Sequence, residues 1–247
     1  MKQNTLLFIT ISFLMLTSCV STKKNNQKNK PSAPVDKTTK TSHKFIEIKE
    51  QYNYLTTKIS YPEFSDCEIL NKRIKNTVIS NYNNFKNFAE NSWNEINEYN
   101  KKESQSSLPP YEFILQSQVL KSNNIISVLL TNYVYSGGAH GNTMLQTFNY
   151  DVEKQKFLAI TDVLPLSYDS IAKICRTKLT DILIKNNKYI TTPTDENEMY
   201  AMLNEGTFPQ AGNFEIFTVN NNVVTVYFEP YSVAPYSYGI QKVEIKK

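Results

Sequence analysis

Apolar side chains recur at three- and four-residue intervals over residues 65–96, the longest regular pattern in the chain. The positions are Leu70, Ile74, Val78, Tyr82, Phe85, Ala89, Trp93 and Ile96. This spacing places them on one face of an α-helix. Ser65 and Glu68, just before the first of them, have the spacing of a capping box. The pattern therefore predicts one long amphipathic helix whose apolar face packs on a core.

Shorter segments alternate apolar and polar residues, as strands with one buried face do. They lie at residues 45–50, 54–61, 111–120, 125–135, 144–150, 157–160, 214–219, 223–229 and 240–245. Two further helical patterns cover residues 168–185 and 195–204. Runs of strands separated by helices predict an α+β fold: an antiparallel sheet with one long N-terminal helix and one or two further helices packed against it.

The turn that follows Tyr135 is the most unusual backbone segment. It contains Gly137, Gly138 and Gly141, three of the six glycines, and His140, one of the two histidines. Glycine adopts positive φ without a Cβ penalty and lets another chain approach closely, so this concentration predicts a sharply shaped loop. The turn leads into a strand and not into a helix N-terminus, which favours a shape-setting role over phosphate binding. We take the turn, with Tyr135, as the first candidate binding site.

Three roles are open for His140: a hydrogen bond to the backbone of its own turn, a contact with a ligand, and catalysis as a general base. A base needs a nucleophile and an orienting group, for which the candidates are Ser136 with Asp151 or Asp162. As the sole histidine after residue 44, His140 is a poor start for a zinc site, which usually needs three or more ligands. We expect no metal and no cofactor.

The second candidate binding site is the loop at residues 230–239, PYSVAPYSYG. Its prolines limit the freedom that is lost on docking, while Tyr231, Tyr236 and Tyr238 offer rigid amphipathic area. We expect Pro235 and Tyr236 at the tip that contacts a partner. The alternative is that the tyrosines pack beneath the loop as an extension of the core.

The first 19 residues have the layout of an export signal. Lys2 precedes the apolar run at residues 6–16, which is too short to span a bilayer, and the segment ends in Leu-Thr-Ser-Cys. This ending resembles a bacterial lipobox, which implies cleavage before Cys19 and acylation of its thiol. We therefore predict a membrane-anchored, extracytoplasmic lipoprotein of the cell envelope.

Residues 20–44 carry seven lysines and one acidic residue, Asp36, and are expected to form a disordered tether. The tether either lies along anionic headgroups or is a solvated spacer. The formal charge of +4 is therefore misleading, since 19 basic and 22 acidic residues remain after residue 44, a net of −3. An exported domain with this charge lacks the phosphate-neutralising surface of a nucleic-acid-binding protein, so we expect no nucleic-acid partner.

Two cysteines, Cys67 and Cys175, remain once Cys19 is assigned to lipid. In an oxidising compartment they can form a disulfide if the fold brings their Cα atoms within about 7 Å. The alternative is two buried, unpaired thiols that act as small apolar side chains.

Two segments together resemble a known family. Residues 133–151 read YVYSGGAHGNTMLQTFNYD and are followed by TDVL, and residues 226–245 read VYFEPYSVAPYSYGIQKVEI. They resemble the extracytoplasmic domain shared by RsiV-like anti-sigma factors, which sense lysozyme, and by the non-catalytic region of PdaC-like peptidoglycan deacetylases. The segment KISYPEF at residues 58–64, with the long helix after it, resembles the companion module that usually precedes this domain.

The resemblance covers residues 46–245 and implies a division into four parts. These are the signal peptide and lipobox at 1–19, the tether at 20–44, a PdaC-like α+β module at 45–110 and an RsiV-like α+β domain at 111–247. In those families, signalling needs a transmembrane helix and a cytoplasmic segment, and deacetylation needs a separate metal-dependent domain. We expect neither activity here, and only the recognition surface to carry over.

The favoured hypothesis is a non-enzymatic lipoprotein that binds a cell-wall-associated ligand, either lysozyme or a peptidoglycan glycan. The mild negative charge of the domain would attract a basic partner such as lysozyme. One alternative is a cell-wall hydrolase or deacetylase that uses the His140 turn. The other is a structural lipoprotein of envelope assembly.

Overall fold

The structure is a computed structural model that describes residues 41–103 and 109–247. The predicted signal peptide, the acylated Cys19 and all but the last four residues of the predicted tether lie outside the described residues. The strands are β1 (His43–Gln51), β2 (Leu55–Phe64), β3 (Tyr111–Ser122), β4 (Ile125–Tyr135), β5 (Asn142–Asp151), β6 (Lys156–Phe157), β7 (Phe217–Asn220), β8 (Val223–Phe228) and β9 (Gln241–Lys246). The α-helices are α1 (Glu68–Glu103), α2 (Ile160–Val163), α3 (Tyr168–Thr180) and α4 (Pro193–Gly206).

A six-stranded sheet in the order β1-β2-β3-β4-β5-β6 forms the larger layer. Every neighbouring pair is antiparallel except β2 and β3, which run parallel with Leu55 opposite Tyr111. Parallel neighbours need a crossover, and α1 provides it. The sheet therefore continues across residue 110, so the strands on either side of that residue share one set of backbone hydrogen bonds.

The predicted apolar stripe of α1 faces this sheet. Leu70, Ile74 and Val78 are completely buried in a cluster with the inward side chains of β2, β3, β4 and β5. The helix begins at Glu68, so the capping box predicted from Ser65 is not formed, and the Ser65 hydroxyl donates to Asp66 instead. In the described part of the chain no helix is long and apolar enough to cross a bilayer.

A second, three-stranded antiparallel sheet, β7-β8-β9, packs with α3 and α4 around its own core. This core includes Phe214, Leu179 and Leu203, all completely buried. Strand β7 lies against β3, β4 and β5, which joins the two sheets. The α+β prediction is confirmed, with three differences: there are two sheets, one strand pair is parallel, and the strand expected at residues 157–160 is limited to Lys156–Phe157, with a short helix at residues 160–163.

The two described cysteines do not form the predicted disulfide. Cys67 is buried in the core under α1 and Cys175 in the core between α3 and the second sheet, and both thiols are free. Burial raises the pKa of the Cys175 thiol to about 12, so it stays protonated. The alternative interpretation, two buried thiols acting as small apolar side chains, is the one that the structure shows.

A charged cluster ties β1 to α1. One carboxylate oxygen of Glu50 accepts hydrogen bonds from the Lys86 ammonium at 2.8 Å and from the hydroxyls of Tyr52 and Tyr82 at 2.6 Å each. These three donors, led by Lys86, lower the pKa of Glu50 to about 2 from its ordinary 4.5. The bond to Glu50 in turn raises the pKa of Lys86. The cluster therefore stays ionised over the whole range in which the protein would normally work.

Acid should weaken the fold through this cluster. Because the pKa of Glu50 is lower in the folded chain than in the unfolded one, its stabilising contribution is complete above about pH 4.5 and is lost as the pH falls through about 2. The full difference in pKa corresponds to about 3 kcal/mol, which exposures of 26% for Lys86 and 31% for Glu50 reduce to about 1–2 kcal/mol. Urea unfolding at about pH 5 and about pH 2.5 should show this loss. The free energy of unfolding of Glu50→Gln should fall less between the two pH values than that of the wild type. An equal fall would show that Glu50 is not the source of the acid effect.

Candidate functional site

The glycine turn has the backbone shape that its sequence predicts. Gly137 and Gly138 adopt φ values of 93° and 89°, a region that side chains with a Cβ rarely enter. The Tyr135 hydroxyl donates to the carbonyl of Gly138 at 3.2 Å and closes the turn from one side. Gly138 itself is exposed, and a Cβ at this position would meet nothing within 4 Å. The turn is thus a fixed loop that protrudes from the ends of β4 and β5.

Gly141 is required for a different reason, the close approach of neighbouring groups. A Cβ at this position would lie 2.4 Å from the ring of Tyr133. The Gly141 carbonyl accepts a hydrogen bond from the Tyr236 hydroxyl at 2.9 Å and lies 2.8 Å from Nδ1 of His140. Gly141 is therefore the point at which the turn is attached to the loop at residues 230–239.

The two candidate loops lie side by side. The rings of His140 and Tyr236 stack with centroids 3.8 Å apart and planes inclined by 16°. The ring of Tyr231 lies 5.6 Å from that of Tyr236. His140 is exposed, Tyr236 is partly buried, and Tyr231 is 56% exposed. We call these three rings, together with Tyr135 at the start of the glycine turn, the aromatic rim.

The loop that carries Tyr231 is held rigidly. Tyr231 has a φ of 71°, which is uncommon for a residue with a side chain and persists only where the surroundings impose it. The next residue, Ser232, donates its N–H to the carbonyl of Glu229 at 3.0 Å. On the other side of the loop, a Cβ on Gly206 would lie 1.9 Å from the Ser232 carbonyl. The end of α4 therefore packs directly against the backbone that presents Tyr231.

Two of the predicted contact residues, Tyr238 and Pro235, are not part of the aromatic rim. Tyr238 packs against the second core, and its hydroxyl accepts a hydrogen bond from the Asn187 side chain at 2.7 Å. Pro235 is exposed but lines a separate surface cavity with Tyr238 and Tyr189. Their position on the α4 side of the loop places them away from the His140 stack. Each of the two interpretations of the loop tyrosines therefore holds for part of the set. Tyr231 and Tyr236 lie at the surface, whereas Tyr238 packs against the core.

The catalytic arrangement considered for His140 is not assembled. Asp151 lies at the far end of β5, and since a strand rises about 3.4 Å per residue, it is roughly 30 Å from the turn. It accepts hydrogen bonds from Asn124 there. Asp162 is engaged by the N–H of Ala159 and by Lys156. The contact of His140 Nδ1 with the Gly141 carbonyl matches its structural role, while the stacked ring also contributes to the surface.

Two aromatic residues outside the two loops, Tyr111 and Phe88, lie near the glycine turn and were not among the predicted site residues. Tyr111 lies 3.9 Å from the position of a Cβ on Gly137 and stacks with Phe88 of α1 at 6.0 Å. Phe88 is 49% exposed, while Tyr111 is buried between it and the turn. Phe88 is not among the eight positions of the predicted stripe, although it follows Phe85 by three residues. Among the described residues no three His, Cys, Asp or Glu side chains are close enough to hold a metal ion.

Comparison with known proteins divides the chain near the glycine turn. Residues 48–143 match the family described as Deacetylase PdaC, and residues 162–247 match the family described as Protein of unknown function (DUF3298). A relative from Bacillus subtilis (strain 168), the peptidoglycan-N-acetylmuramic acid deacetylase PdaC, is 36% identical over 122 residues. These residues are 49% of this chain and 24% of the relative, so the chain spans about a quarter of the deacetylase.

Two crystal structures of DUF3298 family members have the same fold. One, from Bacteroides fragilis, has a TM-score of 0.62 and 19% identity, covering 85% of this chain and 91% of the other. The second, from Pseudomonas aeruginosa, has a TM-score of 0.55 and 18% identity, covering 85% of this chain and 92% of the other. The family matches and the partial deacetylase match agree, and the two structures agree in fold: the chain contains a PdaC-like region at residues 48–143 and a DUF3298 domain at residues 162–247.

Proposed function

We propose that this chain is an envelope-anchored lipoprotein whose aromatic rim binds a cell-wall-associated ligand without catalysing a reaction. The observation that carries the proposal is the joining of two loops, separated by about ninety residues, through the His140–Tyr236 stack and the bond from Tyr236 to Gly141. The joined loops leave Tyr231 and His140 at the surface.

The geometry suits binding because most of the ordering has already taken place in the free protein. Two positive-φ glycines, the hydrogen bond at Gly141 and the packing of Gly206 fix the loops, so few rotatable bonds are frozen on docking. Tyrosine and histidine rings present flat apolar faces with polar edges, which fit the faces and hydroxyls of a sugar as well as a protein surface.

We favour a peptidoglycan glycan as the ligand, with lysozyme as the second candidate. The Bacillus subtilis relative, which is 36% identical over the matched residues, has peptidoglycan in its name. The net charge of −3 after residue 44 would instead favour lysozyme, which is basic. In this proposal Cys19 carries the lipid that holds the domain at the membrane where either ligand is met.

The test is a binding titration of the purified protein with soluble peptidoglycan fragments and, separately, with lysozyme. Tyr231→Ala should weaken binding of the true ligand at least tenfold, about 1.4 kcal/mol, because it removes a rigid, exposed ring from the aromatic rim. Tyr99→Ala is the matched control, since Tyr99 is 59% exposed on α1 and outside the two loops.

Calorimetry of both variants separates the outcomes. Binding that is lost in Tyr231→Ala and kept in Tyr99→Ala supports the aromatic rim as the binding surface. An absence of binding to either ligand at tens of micromolar, or equal affinity in wild type and Tyr231→Ala, would remove the proposal.

A further inference from the structure

A cleft of about 460 Å³ lies on the α1 side of the large sheet, where β5 meets the segment before β7. Three side-chain amides, those of Asn81, Asn132 and Gln146, line it together with the Glu229 carboxylate. Leu115 and Leu130 form its apolar wall. This volume is within the range of small-molecule sites in proteins. We call it the amide cleft.

Asn132 is the unusual member of this set. It sits in the middle of β4, opposite Leu115 on β3 and Met144 on β5, and is only 7% exposed. Its Oδ1 is buried without a hydrogen-bond partner among the described residues. Buried side-chain amides are nearly always hydrogen-bonded, because an unsatisfied polar group destabilises the folded state. The unsatisfied Oδ1 of a residue on the wall of the cleft is the observation that points to a hydrogen-bond partner from outside the chain.

The edge of β5 at the cleft is closed to an added strand. The N–H of Leu145 points away from β4 and is held by the Glu229 carboxylate, and the neighbouring Thr147 hydroxyl donates to the Glu215 carbonyl. An extended peptide would need these backbone positions to pair with the sheet. The cleft is therefore a bounded pocket for a compact ligand and not a groove for a peptide strand.

We propose that the amide cleft binds the N-acetyl group of an acetamido sugar, with the acetamide paired to the Asn132 side chain. A carboxamide offers one donor and one acceptor in a plane, and a second amide matches both. The acetyl methyl group lies against Leu115 and Leu130, and the sugar hydroxyls reach Gln146 and Glu229. The choice of a sugar rests on the proposed function, but the site is separate from the aromatic rim.

The experiment follows the amide resonances of the protein by NMR during titration with N-acetylglucosamine, glucosamine and N-acetyl-alanine methylamide. N-acetylglucosamine should shift the Asn132 side-chain signals in a saturable way, and each of the other two compounds should bind at least tenfold more weakly. Asn132→Leu should abolish the effect and, since it removes an unsatisfied buried amide, raise Tm by about 2–6 °C. Tyr99→Ala, on α1 and outside both sites, should leave the sugar titration unchanged.

Each alternative result has a definite meaning. No saturable binding of N-acetylglucosamine, equal binding of the peptide amide, or unchanged binding in Asn132→Leu would overturn the proposal. A lower Tm in Asn132→Leu would also overturn it, because the amide would then be needed by the fold itself. If peptidoglycan-fragment binding is lost in Tyr231→Ala and kept in Asn132→Leu, the aromatic rim is supported and the amide cleft is not. If it is lost in Asn132→Leu and kept in Tyr231→Ala, the amide cleft is supported and the aromatic rim is not.

Discussion

Replacing Gly206 with alanine is expected to destabilise the protein by about 2–3 kcal/mol, the range for overpacking a tightly packed position. The new Cβ would lie 1.9 Å from the carbonyl oxygen of Ser232, a backbone atom that cannot rotate away. Helix propensity alone predicts the opposite sign, a gain of about 1 kcal/mol, because Gly206 ends α4 with a helical φ. The close approach should decide the outcome, since α4 and the loop that carries Tyr231 cannot both keep their positions.

Gly212→Ala is the matched control, because a Cβ at Gly212 meets nothing within 4 Å. Urea unfolding should place Gly212→Ala within about 0.5 kcal/mol of wild type, as for a surface substitution. In Gly206→Ala the free energy of unfolding should fall, and the affinity for the rim ligand should fall with it. A variant that is as stable as wild type would show that the loop yields easily, which would remove the argument that Tyr231 is rigidly presented.

Most elements of the fold follow from periodicity. The α1 stripe is predicted because Leu70, Ile74 and Val78 return at helical spacing, and all three are completely buried. Short elements are less predictable: the strand expected at residues 157–160 is present only as Lys156–Phe157, and the helix at residues 160–163 is a single turn, too short for a helical period to show. The helix predicted over residues 168–185 is present, but its last five residues, Asp181–Lys185, widen into a π-helical turn.

Long-range relations could not be obtained from one sequence. The parallel pairing of β2 with β3 depends on where α1 returns the chain, and local pattern does not fix that. In the site, glycine chemistry predicts the positive φ of Gly137 and Gly138 because only local sterics are involved. The stacking of His140 on Tyr236 joins residues 96 positions apart, so the sequence could nominate both loops but could not place them together.

The contacts that join the second sheet to the large sheet could not be predicted from one sequence either. Strand β7, within the DUF3298 match, meets β4 and β5 of the large sheet through buried polar side chains. Ser127 and Asn149 occupy polar positions of the alternating pattern, where periodicity predicts exposure to solvent, yet they are only 0% and 4% exposed. The Ser127 hydroxyl donates to Oδ1 of Asn149 at 2.6 Å and accepts from the N–H of Val219 at 2.9 Å. The Asn149 amide donates to the Phe217 carbonyl at 2.8 Å.

Asn149→Ala is expected to cost about 2–4 kcal/mol of stability, because it leaves the buried Ser127 hydroxyl without an acceptor for its proton and the Phe217 carbonyl without the amide that donates to it. Asn142→Ala, at the exposed start of the same strand, should change the free energy of unfolding by less than about 0.5 kcal/mol. In a double-mutant cycle, Ser127→Ala and Asn149→Ala should couple by at least about 1 kcal/mol, since each removes the other's partner. Additive effects, or a loss below about 1 kcal/mol for Asn149→Ala, would mean that apolar packing alone joins β7 to the large sheet.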